Sequence, residues 1–359
     1  MLHIQKYLKT HTLEQLKDEF EINFKEYDDR VVLKYGIQSK PKFHPLVLEC
    51  RGIVLSLPDY RVLARGFDRF FNYGEGDDHL SFNWDNCIVF NKLDGSLCKV
   101  YHDGTKWCVS TNGTAFAEGE TPMGKTYHDL FVEAIGGSLE DKFNIVPKSF
   151  TYIFELTSPE NRIVTRYNET KATLLAVRDN DNGCYVRYEV VERNMDMLPF
   201  TNLVESYDIN DAEDVLKFVE SRDALDEGVV LYDVDKQMRI KVKNSAYVAI
   251  HRLKGEGEDN IKGFITLVFK QEQDEFLLYF PEYTDVMLKY VNAYNGFKLF
   301  VNELWNNNKH IENQKEFALK VKDTPVSGIL FGLKKGLLMD DLIQNLSVNR
   351  KIDLLNKFL

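Results

Sequence analysis

The spacing of apolar residues changes near Asn244, and this change limits the folds open to the chain more than any other feature. Between residues 31 and 243, short apolar runs alternate with turn signals, which predicts β-strands joined by hairpins. After Asn244, apolar residues recur at the three- and four-residue spacing of helices. We therefore predict an α+β domain with a mainly antiparallel sheet over residues 1–245, and a small all-helical domain over residues 246–359.

The α+β part divides into predicted elements by the same patterns. Two hairpins are predicted, one over residues 52–64 and one over residues 97–110, and helix-like spacing occurs before residue 26. Further strands are predicted at 150–156, 172–177, 185–191, 228–233 and 238–242, with helices near 124–135 and 211–221. In the last third, helices are predicted near 286–304, 311–322, 337–346 and 350–358.

Charge and cysteine content limit the kinds of site that the chain can contain. The chain carries 45 basic and 56 acidic residues, a net charge of −11, and residues 1–250 hold all of the excess. Any nucleic-acid site must therefore concentrate its cations in a cleft. The five cysteines include no CxxC pair, which predicts neither a disulfide framework nor a zinc site. Neither a signal peptide nor a membrane-spanning segment is found, so we expect a cytoplasmic protein without a membrane partner.

Lys92 is the candidate nucleophile. It opens the segment Lys92-Leu93-Asp94-Gly95, which follows an apolar run and precedes the next predicted strand. A lysine amine attacks phosphorus only when it is deprotonated, and burial or neighbouring cations favour that state. The Asp-Gly pair gives a tight turn that can present the amine to a pocket. The alternative is a solvated lysine at a hairpin corner.

Lys241 and Lys243 are candidate phosphate-binding cations. Side chains alternate along a strand, so both ammonium groups point to one face while Val242 points to the other. Two adjacent ammonium groups repel each other unless an anion such as phosphate lies between them. The alternative is an edge strand whose lysines deter aggregation.

Two acids and two arginines complete the candidate set. Glu155 lies inside a β-forming run and Glu227 just before one, and a carboxylate in a buried strand is costly unless it meets a cation, metal or hydroxyl. The guanidinium groups of Arg51 and Arg69 lie beside apolar runs and could form forks to phosphate oxygens. The alternatives are surface carboxylates and structural ion pairs with the excess acids.

Taken in order, these segments resemble the covalent nucleotidyltransferases, the superfamily of polynucleotide ligases and mRNA capping enzymes. Within it, the chain is similar to the RNA ligase 1 family of tailed bacteriophages. The matching segments are Glu49–Gly52, Lys92–Gly95, Glu155, Ser158–Val164, Glu227-Gly228 and Lys241–Lys243. The resemblance implies a nucleotidyltransferase (ATP-grasp-like ligase) fold, ATP, and Mg²⁺ with Mn²⁺ as an alternative. It also implies RNA repair, with RNA bearing 5′-phosphate and 3′-hydroxyl ends as the partner, nicked tRNA as a candidate, and no protein partner.

The resemblance implies a role for each matching residue. Lys92 would carry AMP as a phosphoramide, and Lys241 and Lys243 would contact the α-phosphate. Glu155 would bind the ribose hydroxyls, and Glu227 would hold a metal ion or its waters.

Three further positions follow from the same resemblance. Tyr35 would lie near the nucleotide, and Arg51 near the departing pyrophosphate. Arg69 stands where the family often has a lysine, which would place it at the β- or γ-phosphate with a different geometry. Residues 110–114 lack two cations that the family can show, which leaves no phosphate contact to expect there.

Other functions share parts of this pattern. DNA ligases and capping enzymes use the same lysine chemistry but usually continue from the paired lysines into a small β-barrel, which a helical tail disfavours. A non-catalytic RNA-binding relative is disfavoured because the candidate residues are retained together. A protein-AMPylating enzyme remains an alternative. The helical tail is a candidate RNA-specificity module.

Overall fold

The strand-rich part of the chain forms three sheets. A computed structural model gives this fold and describes residues 1–36, 38–77, 80–121, 123–254, 261–270 and 273–359. The chain divides into two compact units, residues 1–248 and residues 249–359. Among the described residues, no helix combines the length and apolar character needed to cross a membrane.

The first sheet follows the order β1-β2-β3-β4, with every neighbour antiparallel. Its strands are β1 Ile22–Glu26, β2 Arg30–Tyr35, β3 Arg51–Ser56 and β4 Val62–Ala64. Three short helices share a core with this sheet, α1 His3–Leu8, α2 Leu13–Phe20 and α3 Pro45–Glu49. Thr12 starts α2, because its side chain accepts a hydrogen bond from the backbone N–H of Gln15.

The other two sheets hold the remaining strands. In chain order these are β5 Phe71–Asn72, β6 Cys87–Asn91, β7 Ser96–His102, β8 Trp107–Ser110, β9 Phe150–Thr157, β10 Lys171–Asp179, β11 Asn202–Leu203, β12 Ser206–Tyr207, β13 Gly228–Asp233 and β14 Met238–Lys243. The second sheet has the order β11-β10-β9-β7-β8, and the third has β12-β6-β13-β14-β5. All neighbours are antiparallel except β10–β11 and β14–β5.

Helices cover one face of each of these sheets and leave the other face open. Helices α4 Tyr127–Ile135, α5 Leu139–Phe143 and α6 Tyr188–Arg193 pack in one core with the second sheet. Helix α7 Ala212–Glu220 packs in the same way against the third sheet. Because alternate side chains point to opposite faces, the uncovered faces of both sheets line one cleft.

The second unit is helical throughout its described residues. The helices from residue 245 onward are α8 Ser245–Lys254, α9 Ile261–Lys270, α10 Gln273–Tyr279, α11 Thr284–Asn308, α12 Gln314–Val321, α13 Ser327–Lys334, α14 Met339–Gln344 and α15 Val348–Leu355. Aromatic residues fill its interior, among them Phe264, Phe269, Tyr294 and Phe297.

The predicted antiparallel sheets and helices are confirmed, whereas the predicted strand at 185–191 is wrong. Tyr185 forms only an isolated bridge with Arg178, and the chain then turns into α6. The edge of β10 that would have accepted a longer strand is instead paired with β11, at Thr173 and Leu174. Residues 185–191 have the alternating pattern of a strand, but the strand edge with which they would pair is occupied by β11.

Candidate active site

Lys92 lines the cleft and lies immediately after β6. Its backbone N–H donates to the carbonyl of Gly228 at 3.0 Å, which ties the residue to β13. Its Nζ donates to Glu227 Oε2 at 2.5 Å, and the other oxygen of Glu227 lies 2.7 Å from Lys243 Nζ. The Glu227 side chain is only 6% exposed. The structure thus brings together three of the predicted site residues, with a buried carboxylate between two ammonium groups.

Strand β14 places three cations on the cleft. Arg239, Lys241 and Lys243 alternate along it and all line the cleft. The strand pairs with β13 along its length and with β5 at Ile240 and Lys241, so it is not a bare edge. Burial, and then Arg51 and Lys92, lower the pKa of Lys241 to about 8. An anion bound there would relieve this repulsion.

Glu155 faces the same cleft from β9. Its Oε1 accepts a hydrogen bond from the backbone N–H of Gly95 at 3.0 Å. Burial raises the pKa of Glu155 to about 7, with Lys92 acting in the opposite direction and Glu227 adding to the rise. The carboxyl group therefore changes its charge near neutral pH.

Asp94 and Gly95 fix the loop that carries Lys92. Asp94 is buried, and its Oδ2 accepts the backbone N–H groups of Val164 at 2.7 Å and Thr165 at 2.8 Å. Its Oδ1 accepts a hydrogen bond from the Tyr247 hydroxyl at 2.7 Å. A Cβ on Gly95 would lie 2.4 Å from the Leu156 carbonyl oxygen, so only glycine fits. The sequence predicted a turn at Asp94 and Gly95. In the structure, Asp94 also ties this turn to residues 164–165 and to Tyr247.

Arg51 lines the cleft, whereas Tyr35 and Arg69 form a pair outside the set of lining residues. The Arg51 guanidinium lies 4.7 Å from the Phe70 ring centroid. The Arg69 guanidinium lies 4.2 Å from the Tyr35 ring centroid, and its Nη1 is buried without a hydrogen-bond partner. An orphaned buried donor of this kind fits an acceptor supplied by a ligand.

Lys99 is a site-adjacent residue that sequence reasoning missed. It is fully buried on β7, and its Nζ donates to the Thr111 carbonyl at 2.8 Å and lies 3.4 Å from Asn112 Oδ1. Burial, with Arg51 and Lys34 among the smaller causes, lowers the pKa of Lys99 to about 7. Lys99 thus binds residues 111 and 112, which belong to the segment 110–114 that lacks the two cations the family can show. A lysine at an inward-facing strand position was the available signal.

The cleft has a charged end and an apolar end. About 700 Å³ of space lies between its lining residues, and part of this volume is open to solvent. Lys92, Lys241, Lys243 and Glu155 line the charged end, where their groups interact. The apolar side chains that line the cleft are Phe67, Phe70, Phe90, Leu93, Leu97, Leu175, Val204 and Val230. A molecule with a phosphate at one end and a flat ring at the other fits this division.

The donor set suits a metal ion that is shared with phosphate oxygens. Within the described residues, no cluster of three or more His, Cys, Asp or Glu could hold a metal by itself. Glu227 offers one carboxylate beside Lys92 and Lys243, which line the charged end of the cleft. Mg²⁺ is typically bound by one or two carboxylates together with substrate phosphates and water, so this residue fits such an ion.

Comparison with known proteins gives one family. The family model described as RNA ligase matches residues 49–247. A putative bifunctional polynucleotide kinase/RNA ligase of Autographa californica nuclear polyhedrosis virus is 33% identical over 316 residues, 83% of this chain and 44% of that protein. An RNA ligase of Rhodothermus phage RM378 is 30% identical over 47% of this chain and 45% of its own length. The chain thus spans about half the length of these curated relatives.

Solved structures give a weaker likeness. A Naegleria gruberi RNA ligase variant with ATP and Mn covers 47% of this chain and 52% of its own, with 17% identity and a TM-score of 0.39.

Proposed function

Because the chain belongs to the RNA ligase family, whose model matches residues 49–247, we propose that it is an ATP-dependent RNA ligase. It joins 5′-phosphate and 3′-hydroxyl RNA ends through a lysyl-adenylate and an RNA-adenylate. The observation that carries the proposal is the contact of Lys92 with Glu227, and of Glu227 with Lys243, beside a cleft lined by cationic and apolar side chains. The viral relative that matches most of the chain also carries RNA ligase in its name.

In the first step, Lys92 Nζ attacks the α-phosphorus of ATP, and the bond to the β-phosphate oxygen breaks. Glu227 Oε2, at 2.5 Å, is placed to take the proton that the ammonium group must lose before attack. Lys241 and Lys243 stabilise the charge that develops on the α-phosphate. Arg51 lies at the pyrophosphate end, and Arg69 and Tyr35 lie beyond it.

The rest of the cleft holds the nucleoside. The Glu155 carboxylate accepts hydrogen bonds from the ribose hydroxyls, and the base lies between the apolar side chains. Glu227 would hold a divalent cation, Mg²⁺ or Mn²⁺, which would neutralise charge on the phosphates.

Two further transfers complete the reaction. The 5′-phosphate of an RNA strand attacks the lysyl-adenylate and releases the Lys92 amine. A 3′-hydroxyl then attacks the RNA-adenylate, a phosphodiester forms, and AMP leaves. Each step passes through a similarly charged phosphorus centre, so the lysines of β14 serve all three.

The natural substrate and setting belong to the same proposal. We assign the enzyme to RNA repair in the cytoplasm, with nicked tRNA as the candidate substrate and the unit formed by residues 249–359 as its specificity module. The neutral charge of the last third, against −11 for residues 1–250, supports a contact of that unit with RNA.

The decisive experiment is adenylate formation on Lys92. Intact-mass measurement after incubation with ATP and Mg²⁺ should show one AMP adduct, and pyrophosphate should remove it. Lys92→Met should carry no adduct, and Lys92→Arg should also fail because a guanidinium stays protonated. The exposed lysine of α7 gives a matched control, since Lys217→Ala should label like the wild type. A normal adduct on either Lys92 variant would refute the assignment.

A second measurement separates RNA ligases from DNA ligases and from AMPylating enzymes. The adenylated protein is offered 5′-phosphorylated RNA, 5′-phosphorylated DNA of the same sequence, or a protein mixture. Transfer to RNA ends, followed by sealing, supports the proposal. Transfer only to DNA or only to protein contradicts it.

A further inference from the structure

Arg239 is a buried cation that the reaction proposed above does not use. It is only 7% exposed, and three aromatic rings surround its guanidinium. The ring centroids of Tyr185, Tyr232 and Phe67 lie 4.0, 4.1 and 4.4 Å away. At these distances the rings attract the guanidinium by cation–π interaction and hold it at this position.

The guanidinium of Arg239 has no acceptor in the protein. Among the residues that the structure describes, no side chain or carbonyl accepts a hydrogen bond from it, and no carboxylate pairs with it. Burial accordingly lowers the pKa of Arg239. A guanidinium carries five donors, and those of Arg239 belong to a side chain that lines the cleft. An acceptor on a ligand in the cleft could meet them.

Arg178 shows that the absence of partners is a property of Arg239 and not of its surroundings. The Arg178 guanidinium also lies against the Tyr185 ring, 4.5 Å from its centroid. Its donors, however, reach Asp68 at 3.1 Å and the carbonyl of Gly183 at 2.9 Å. Two buried arginines thus share one aromatic ring, and only Arg178 is satisfied by the protein.

The position of Arg239 indicates which part of a ligand it meets. It lines the cleft and stands four residues before Lys243 on the same face of β14, roughly 13 Å along the strand. Two of its rings, Phe67 and Tyr185, pack in one apolar cluster with Leu175. The third, Tyr232, packs with Phe90, Val204 and again Leu175. Arg239 therefore lies at the apolar end, away from the lysines that surround the phosphate.

We propose that Arg239 recognises the nucleobase by donating a hydrogen bond to an acceptor atom on the edge of the ring. Adenine offers three such atoms, the ring nitrogens N1, N3 and N7, while its amino group donates. The apolar side chains hold the faces of the base, and Arg239 reads its edge. This inference rests on the proposed function, since it names a contact within the same ATP site.

The test uses ATP analogues in which one ring nitrogen is replaced by CH. Adenylation of Lys92 is measured as a function of concentration for ATP and for its 1-deaza, 3-deaza and 7-deaza forms. Because a hydrogen bond from a charged donor is lost, one analogue should have a KM roughly 10- to 100-fold above that of ATP. The contact exists in the ground state and in the transition state alike, so kcat should change little.

Variants of Arg239 assign the effect to this residue. Arg239→Met keeps an aliphatic chain within the aromatic cage, and it should raise the KM for ATP to that of the penalised analogue. In that variant the analogue should show no further penalty. Arg239→Lys keeps a cation without the planar fork and should discriminate less than the wild type. Arg178→Met is the matched control: it should lower the thermal stability but leave the ratio of KM values unchanged.

The possible outcomes separate two failures. If the wild type forms no lysyl-adenylate with ATP, the proposed function fails. If it forms one but has the same KM for ATP and all three analogues, only the inference about Arg239 is wrong. This outcome needs only the wild type, so it holds even if the variants do not fold. Undiminished discrimination in folded Arg239→Met would also overturn it.

Discussion

In the proposed reaction, the charge of one residue, Glu155, sets the pH range of nucleotide binding. Its pKa is raised from 4.5 to about 7, mainly because the carboxyl group is buried on β9. Below that pH the group is neutral, and above it the carboxylate can accept two hydrogen bonds from a ribose. The same pKa rise has the opposite effect on the stability of the fold. The folded protein binds the Glu155 proton more tightly than the unfolded chain does, so the contribution of this group to stability falls as the pH rises from 4.5 to about 7.

We expect the KM for ATP in adenylation to be about tenfold lower at pH 8 than at pH 6 through this group alone. ATP itself and Lys241 also titrate near this range, so the measurement compares wild type with Glu155→Gln. The amide cannot ionise, and its KM should lack the component due to Glu155. Equal pH profiles for the two proteins would contradict the role given to the carboxylate.

Some contacts of the candidate site could be expected from the sequence and others could not. The resemblance to the RNA ligase family assigned Lys92, Glu227 and Lys243 to one site, and the structure places them in contact. The roles of Asp94 and Arg239 depend on partners far along the chain. Asp94 meets Val164 and Tyr247, and Arg239 meets Phe67 and Tyr185. No local pattern encodes such pairs, because long-range packing decides them.

At the scale of elements, β14 aligns Arg239, Lys241 and Lys243 over different parts of the proposed nucleotide. Gly228, opposite Lys243, keeps the strands close: a Cβ there would lie 2.1 Å from the Val242 carbonyl oxygen. Its φ of +129° also favours glycine. The strand pair therefore holds its cations in register with Glu227.

We predict that Lys241→Ala and Lys243→Ala each slow the sealing of RNA that already carries a 5′-adenylate, by roughly 100-fold or more. This substrate bypasses the first step, so a loss reports on the last transfer. The exposed Lys217 again supplies the control variant. If both variants seal at the wild-type rate, the two lysines act only in adenylation or only in the fold.

The elements themselves were predictable where periodicity agreed with pairing. The pattern at 228–233 and 238–242 predicted strands, and β13 and β14 pair as a hairpin. At 185–191 a similar alternation ended in α6, because β11 occupies the edge of β10. Strand propensity is local, whereas the choice of neighbour is made by the whole sheet.

At the scale of the whole molecule, charge is divided between the two parts of the chain. Residues 1–250 carry the net charge of −11, and the last third holds 15 basic and 15 acidic residues. Some basic side chains of the second unit donate hydrogen bonds to backbone carbonyls within that unit. Lys334 Nζ donates to the Ile311 carbonyl at 2.7 Å, and the Arg350 guanidinium donates to the Pro325 carbonyl. The acidic part alone should therefore repel RNA outside its cleft.

We predict that a chain ending at residue 254 still forms the lysyl-adenylate but no longer prefers one RNA over another. It keeps the proposed site residues through Lys243, and also Tyr247, which holds Asp94. The assay compares sealing of a nicked stem-loop with sealing of a plain single strand. An equal loss on both, or an insoluble truncation, would instead indicate that the second unit supports the stability of the first.

Without ATP, the carboxylate between Lys92 and Lys243 shields the nucleophile from chemical damage. Acyl phosphates, cyanate and sugar aldehydes react with neutral amines, and an ammonium group in an ion pair has no free electron pair to offer. Lys92 is 20% exposed, so small electrophiles can reach it, and its ion pair with Glu227 competes with their approach. This ion pair would therefore protect, from acetylation and glycation, the amine on which the proposed reaction depends.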